Sequence, residues 1–296
     1  MSPKSTASPV ERVRGFLRAA FDVVMAIAGM LRTRLHPLAQ RLQDSPVIEG
    51  LARAGFVMNG ILHVIIGGIA ISIAFGGSGD ADQGGALGSL ASQPFGIVLL
   101  VIVVIGLWGL GLFQLLEAFL VRGTDGKKWA ARLKEAAKGI AYLAVGSTAF
   151  AYAIGESPDS GEQSRDFTEQ LLATVLGKVV LSVIALAVMA VGVYFVVKGA
   201  RRRFLRDIDE PSGNATSGII VLGIFGYIAK GIALFIVGIL FGIAAITSDP
   251  SAATGLDGAL SGLSQVPFGT VALTVVGAGF IAYGLYCFVR SRYADL

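Results

Sequence analysis

Residues 226–242 read Gly-Tyr-Ile-Ala-Lys-Gly-Ile-Ala-Leu-Phe-Ile-Val-Gly-Ile-Leu-Phe-Gly, an apolar run with glycines seven residues apart at Gly231 and Gly238. The same spacing recurs at Gly60 and Gly67, in Gly-Ile-Leu-His-Val-Ile-Ile-Gly, and at Gly139 and Gly146, in Gly-Ile-Ala-Tyr-Leu-Ala-Val-Gly. A polar loop and a second apolar run follow each copy. Glycines inside apolar helices allow close backbone approach between neighbours. These six paired glycines are therefore expected at helix-packing contacts.

Working outward, the composition places the chain in a membrane. It is 54% hydrophobic and only 15% charged, with mean hydropathy +0.73, whereas soluble domains carry about 25% charged residues. Apolar residues fall into six blocks, near 55–76, 95–120, 139–155, 171–197, 218–247 and 268–289. About 20 apolar residues at 1.5 Å rise cross a hydrocarbon core of roughly 30 Å. Five blocks meet that length directly, and 139–155 does so with flanking residues from Ala136 onward. The expected fold is an all-α membrane protein with six transmembrane helices.

Charge distribution sets the orientation. Of the 24 Lys and Arg, 21 lie before Gly55, in 121–138, in 198–218 or after 289. The alternate loops 77–94, 156–170 and 248–267 hold one basic residue, Arg165, against nine Asp and Glu. By the positive-inside rule, both termini are cytoplasmic and the acidic loops face outward. The net charge of +4 orients helices on this reading and does not mark a nucleic-acid partner. Residues 1–48 form a cytoplasmic segment. Its apolar stretch over 16–35 is broken by Arg18 and Asp22, so it reads as an amphipathic helix on the membrane surface, with Pro37 and Pro46 marking a linker to the first span.

The repeats are three, over 49–122, 132–204 and 218–293. Gly-Ala-Leu-Gly-Ser-Leu-Ala-Ser-Gln-Pro-Phe-Gly at 85–96 matches Gly-Ala-Leu-Ser-Gly-Leu-Ser-Gln-Val-Pro-Phe-Gly at 258–269, and the second copy keeps only Gly177. Fifteen residues beyond each final glycine stand Gly111, Gly192 and Gly284, and two further on stand Phe113, Tyr194 and Tyr286. Every repeat enters and leaves on the same side, so these are parallel repeats, expected to close around a pseudo-threefold axis.

This pattern, Ala-Arg-Ala-Gly-Phe, Gly-Ile-Leu-His, Gly-Gly-Ile-Ala and then Gly-Ala-Leu with Pro-Phe-Gly, resembles the domain-of-unknown-function family numbered 1206 over about residues 50–293. The resemblance implies a multi-pass protein of the bacterial plasma membrane with three tandem two-helix modules. It is degraded in the second copy, where Lys134 replaces the early glycine and Pro-Phe is absent. It implies no activity and supplies no catalytic residues.

Ionisable residues inside spans are the default functional candidates. Glu117, Lys198 and Arg290 occupy one repeat position, six residues after Gly111, Gly192 and Gly284, and are read as a cytoplasmic rim. Their long side chains would reach the headgroups, with Glu117 paired to one of the bases. Lys230 shares a position with Lys138 and Asn59; a helix starting at Gly218 would set it about 18 Å along, near mid-membrane, whereas the repeat alignment starts the helix near Tyr227 and favours the interface, and a pair with Glu117 fits either depth. His63 shares its position with Tyr142 and Leu234, which suits a packed histidine bonding a neighbour better than a haem ligand or proton relay.

The acidic loop 156–170 lacks the ligand spacing of a calcium loop and is expected to be solvated, so no metal is assigned. The single Cys287 excludes an internal disulfide framework. No nucleotide, zinc-protease or serine-nucleophile motif is present, and neither an enzyme activity nor a cofactor is expected. The reading that remains is a structural bundle whose partners are the lipid bilayer and another membrane protein or an anionic lipid. Its alternative is a conduit for a small solute or ion along the pseudo-threefold axis.

Overall fold

The computed structural model describes residues 45–121, 125–208 and 215–294. The surface helix expected over 16–35 lies outside these residues. Among them all regular structure is helical: α1 (Pro46–Ala74), α2 (Gln83–Ala91), α3 (Gly96–Leu120), α4 (Gly126–Ala153), α5 (Ser160–Leu172), α6 (Val175–Ala200), α7 (Ala215–Thr247), α8 (Gly255–Ser264) and α9 (Gly269–Tyr293). Helices α1, α3, α6, α7 and α9 are long and apolar enough to cross a membrane. The sixth expected span, in α4, does not reach that standard. Its first half carries Lys127, Lys128, Arg132, Lys134, Glu135 and Lys138, and its apolar half is short.

Local chemistry sets the helix boundaries. Pro46 is the first residue of α1 rather than part of a linker, and Ser45 accepts a hydrogen bond from the Val47 amide; proline fits there because that amide has no helical partner anyway. Asp82, Asp125, Asp159 and Thr174 cap α2, α4, α5 and α6 in the same way. The Pro-Phe-Gly landmark is a corner. Phe95 and Phe268 take left-handed backbone, φ 64° and 63°. A Cβ on Gly96 or Gly269 would meet the last carbonyls of the preceding short helix, at 2.6 Å from the Leu90 oxygen and 2.7 Å from the Ser264 oxygen.

The acidic stretch 156–170 is not a free loop. Asp159 accepts from the Gly161 and Glu162 amides and starts α5, with Glu162 in the favoured first turn. The short helices α2, α5 and α8 thus occupy one end of the bundle, here termed the acidic end. The start of α1, the end of α9 and the Arg201–Arg203 turn lie at the other, basic end.

The long helices pack as neighbours in the order α4, α3, α1, α9, α7, α6. Three of these interfaces join different repeats, and each is centred on a glycine pair. A Cβ on Gly60 would lie 2.8 Å from the Gly284 carbonyl oxygen, on Gly139 2.9 Å from that of Gly111, and on Gly231 2.6 Å from that of Gly192. The second glycines of the seven-residue pairs meet partners too: Gly67 faces Gly277, Gly146 faces Trp108, and Gly238 faces Met189 and Ala185. Two interfaces lie within repeats, where Gly55 meets Gly106 and Gly226 meets Tyr283.

Space at the glycines sets opposite signs for two substitutions. Gly231→Ala drives a methyl into the Gly192 carbonyl and the Val196 backbone and is expected to cost about 1–3 kcal/mol by overpacking. Gly50→Ala meets nothing within 4 Å in the first turns of α1 and is expected to be neutral or stabilising by up to about 1 kcal/mol. Thermal melting of the detergent-solubilised protein reads both.

Candidate functional site

The polar side chains of the long helices converge where the three repeats meet, toward the basic end. His63 is almost fully buried, at 3% exposure. Its Nδ1 lies 2.8 Å from the Asn59 carbonyl and its Nε2 lies 3.0 Å from Lys230 Nζ. A carbonyl only accepts and an ammonium only donates, so the partners fix the tautomer: Nδ1 carries the proton and the neutral ring accepts from Lys230 through Nε2. The ring stacks on Phe280 and tilts against Tyr283. The ammonium of Lys230 also sits 4.2 Å from the Tyr283 ring centre. One turn along, Asn59 Nδ2 donates to Cys287 Sγ at 3.3 Å.

The partner of Lys230 is therefore His63, not Glu117. The helix start near Tyr227 also gives way: α7 starts at Ala215, close to the alternative start at Gly218. This sets Lys230 about 22 Å along its helix, in the same register as Asn59 in α1 and Lys138 in α4.

The predicted rim is turned inward. Lys198 is 6% exposed; it donates to Asp207 and lies over the Tyr227 ring at 4.8 Å, so it does not extend to the surface. The Arg290 guanidinium lies over the Phe56 ring at 4.4 Å. Glu117 makes no ion pair within 4.0 Å among the described residues; the nearby Glu135 takes both Lys134 and Lys138. Arg290 and Glu117 are nonetheless within electrostatic reach of each other and of Lys138.

A short 3₁₀ turn, Arg203–Asp207, closes this cluster from below. Phe204 is fully buried, stacked on Tyr227 and edge-on to Tyr286, and its carbonyl accepts the Tyr286 hydroxyl at 3.0 Å. Burial by itself would raise the Asp207 carboxyl, but the guanidinium of Arg290 and the ammonium of Lys198 prevail and hold it below the ordinary value. The sequence signal for this plug was available: Phe204, Leu205 and Ile208 are apolar residues set in a run of arginines.

At the acidic end, α2, α5 and α8 with their connecting segments enclose a cavity of about 460 Å³, lined by Asp80, Asp82, Tyr152, Asp159, Arg165 and Asp257 among others. Asp257 accepts from the Ala81 amide at 2.8 Å, and Asp82 from the Gly85 amide at 2.9 Å. Among the described residues no group of three or more His, Cys, Asp or Glu side chains is arranged to hold a metal. The residues between cavity and cluster are apolar: Leu62, Ile66, Leu100, Val103, Leu273 and Phe280 belong to one continuous buried core.

The family described as Domain of Unknown Function (DUF1206) matches this chain at residues 54–120, 133–202 and 225–294. The chain belongs to that family. The three DUF1206 segments fall on α1–α3, α4–α6 and α7–α9 in turn. The chain is also similar to the uncharacterized protein YxxB of Bacillus subtilis (strain 168), with 26% identity over 261 residues covering 86% of this chain and 94% of that protein. No solved structure matches.

Two expectations follow from the site's electrostatics. His63→Leu leaves the Lys230 ammonium without its acceptor and is expected to destabilise by about 2 kcal/mol, while His63→Leu with Lys230→Met removes the stranded charge and melts above the single variant. At the other end, burial and the neighbouring Asp257 and Asp159 raise the Asp80 carboxyl. A raised acid binds its proton more tightly in the folded state, so stability falls as pH rises through its titration. Asp80→Asn should therefore raise the melting temperature at pH 7, with the gain gone at pH 3, where Asp80 is itself protonated.

Proposed function

We propose that this DUF1206 protein is a non-catalytic integral protein of the bacterial plasma membrane that acts by binding lipid or a membrane partner. In this reading α4 is a sixth span and the three parallel two-helix repeats surround a pseudo-threefold axis. Both termini and the basic end are cytoplasmic, following the distribution of Lys and Arg. The equivalence of the Gly60–Gly284, Gly139–Gly111 and Gly231–Gly192 approaches supports the axis.

One observation carries the choice of a binding bundle over a conduit. The acidic cavity and the His63–Lys230 cluster are separated by the apolar core of Leu62, Ile66, Leu100, Val103, Leu273 and Phe280. A permeation path needs polar groups or water along its length, and dry packed side chains offer an ion neither. The basic end, by contrast, gathers cations beside apolar helix faces, which suits anionic headgroups.

Reconstitution tests this directly. Liposomes containing the purified protein are expected to show no flux of protons, potassium or small neutral solutes above protein-free liposomes. Flux that disappears on Leu62→Trp would overturn the binding reading in favour of the conduit.

A further inference from the structure

The neighbour order of the long helices leaves one pair of a repeat apart. In the first repeat α1 packs on α3, and in the third α7 packs on α9, but α4 and α6 of the second repeat are not packed together. The cause is in the sequence. The first repeat uses Gly55 against Gly106, and the third buries Gly226 and Gly279 at the same positions. The second has Lys134 and Ala187 there, both exposed. The rest of that face follows: Ala130, Ala137 and Ala141 of α4 and Ala190 of α6 are exposed as well. A slot walled by small apolar residues thus opens sideways between α4 and α6, with Lys134 at its basic end.

The slot reaches a cluster rich in cations. Among the described residues, Lys134, Lys138, Lys198, Lys230 and Arg290 face three carboxylates, Glu117, Glu135 and Asp207. Tyr142, Tyr227, Tyr283, Tyr286 and Cys287 are further ionisable groups within reach of Arg290. Asp207 is taken by Lys198 and Glu135 by Lys134 and Lys138. Arg290 and Lys230 make no ion pair within 4.0 Å among the described residues, and the buried Arg290 Nε has no hydrogen-bond partner. Asp207 lies within electrostatic reach of Arg290 but makes its direct ion pair with Lys198, and a cation in a low-dielectric interior with no anion in direct contact is unfavourable.

We propose that the slot between α4 and α6 seats one anionic glycerophospholipid. Its phosphate lies against Arg290, with Lys134 and Lys138 beside it, and an acyl chain runs along Ala137, Ala141, Ala187 and Ala190. A lipid fits better than a free anion because the slot is lateral and its walls are apolar above the cations. This inference rests on the lipid-binding reading above and names the lipid class and the place.

The test is native mass spectrometry of the full chain released from phosphatidylcholine nanodiscs with and without phosphatidylglycerol. One phosphatidylglycerol per chain is expected to survive release. Arg290→Gln should weaken its retention at least about tenfold, equivalent to about 1.4 kcal/mol. Ala187→Phe, which fills the slot from an exposed position and leaves every charge in place, should do the same, so that a folding failure of Arg290→Gln leaves the site testable. Replacing Arg201, Arg202 and Arg203 together by Gln should leave retention unchanged.

Loss of retention in that triple variant, with Arg290→Gln and Ala187→Phe unaffected, would overturn the slot while leaving lipid binding at the surface. Equal retention of phosphatidylcholine, or none of either lipid, would overturn the slot and the anionic-lipid reading together. Displacement of the lipid by inorganic phosphate alone would make this a soluble-anion site and overturn the assignment to a lipid.

Discussion

Everything in this bundle depends on backbones that touch. At the three interfaces between repeats, a glycine on each helix presents its α-carbon to the carbonyl of the other, and no side chain larger than hydrogen fits between. In a hydrocarbon environment apolar side chains gain little from burial against each other, because lipid is as apolar as they are. Association then rests on close van der Waals approach and on the few polar groups that cannot face lipid. The glycine pairs supply the first. They also fix rotation and depth, so that positions such as Asn59, Lys138 and Lys230 arrive at one level.

That alignment turns three unremarkable positions into a cluster. Lys230 and His63 sit in different repeats, 167 residues apart, and meet because their helices are registered against α9. The same geometry brings Arg290 within reach of groups from all three repeats. Buried polar groups in such a place carry an obligation: each must find a partner or cost stability. Most are satisfied within the chain, by Asn59, His63, Asp207 and Glu135. Arg290 has an aromatic face and, among the described residues, no carboxylate within 4.0 Å, sharing Asp207 only at longer range, and it marks where the repeats' symmetry and their electrostatics diverge.

Much of the fold could be read from spacing alone. Seven-residue glycine pairs, the Pro-Phe-Gly corner and the alternation of basic and acidic loops carry periodic information, and each maps onto a repeat in the structure. The site was less legible, for physical reasons. That Lys198 turns inward to Asp207 depends on a 3₁₀ turn folding under the bundle, which Arg202 permits by adopting φ 54°; a row of arginines conceals it. The helical order of 160–172 was hidden by a composition that reads as solvent-facing. Lys134 stands out in the sequence as a departure from the repeat, but only the exposed alanines around it show that the two long helices of that repeat do not pack together.

The order of neighbours also bears on how the chain is made. The partner that seals the face of α1 bearing Gly60 and Gly67 is α9, more than 200 residues downstream, so the α1–α3 pair must wait for α9 before that face is covered. Contacts spanning most of the chain are slow to form because a long loop must close first. During that wait the exposed glycine face of α1 is a docking edge for any passing helix, including the same helix of another nascent chain. Such a protein is under pressure to keep synthesis and insertion rapid relative to encounters between half-built copies.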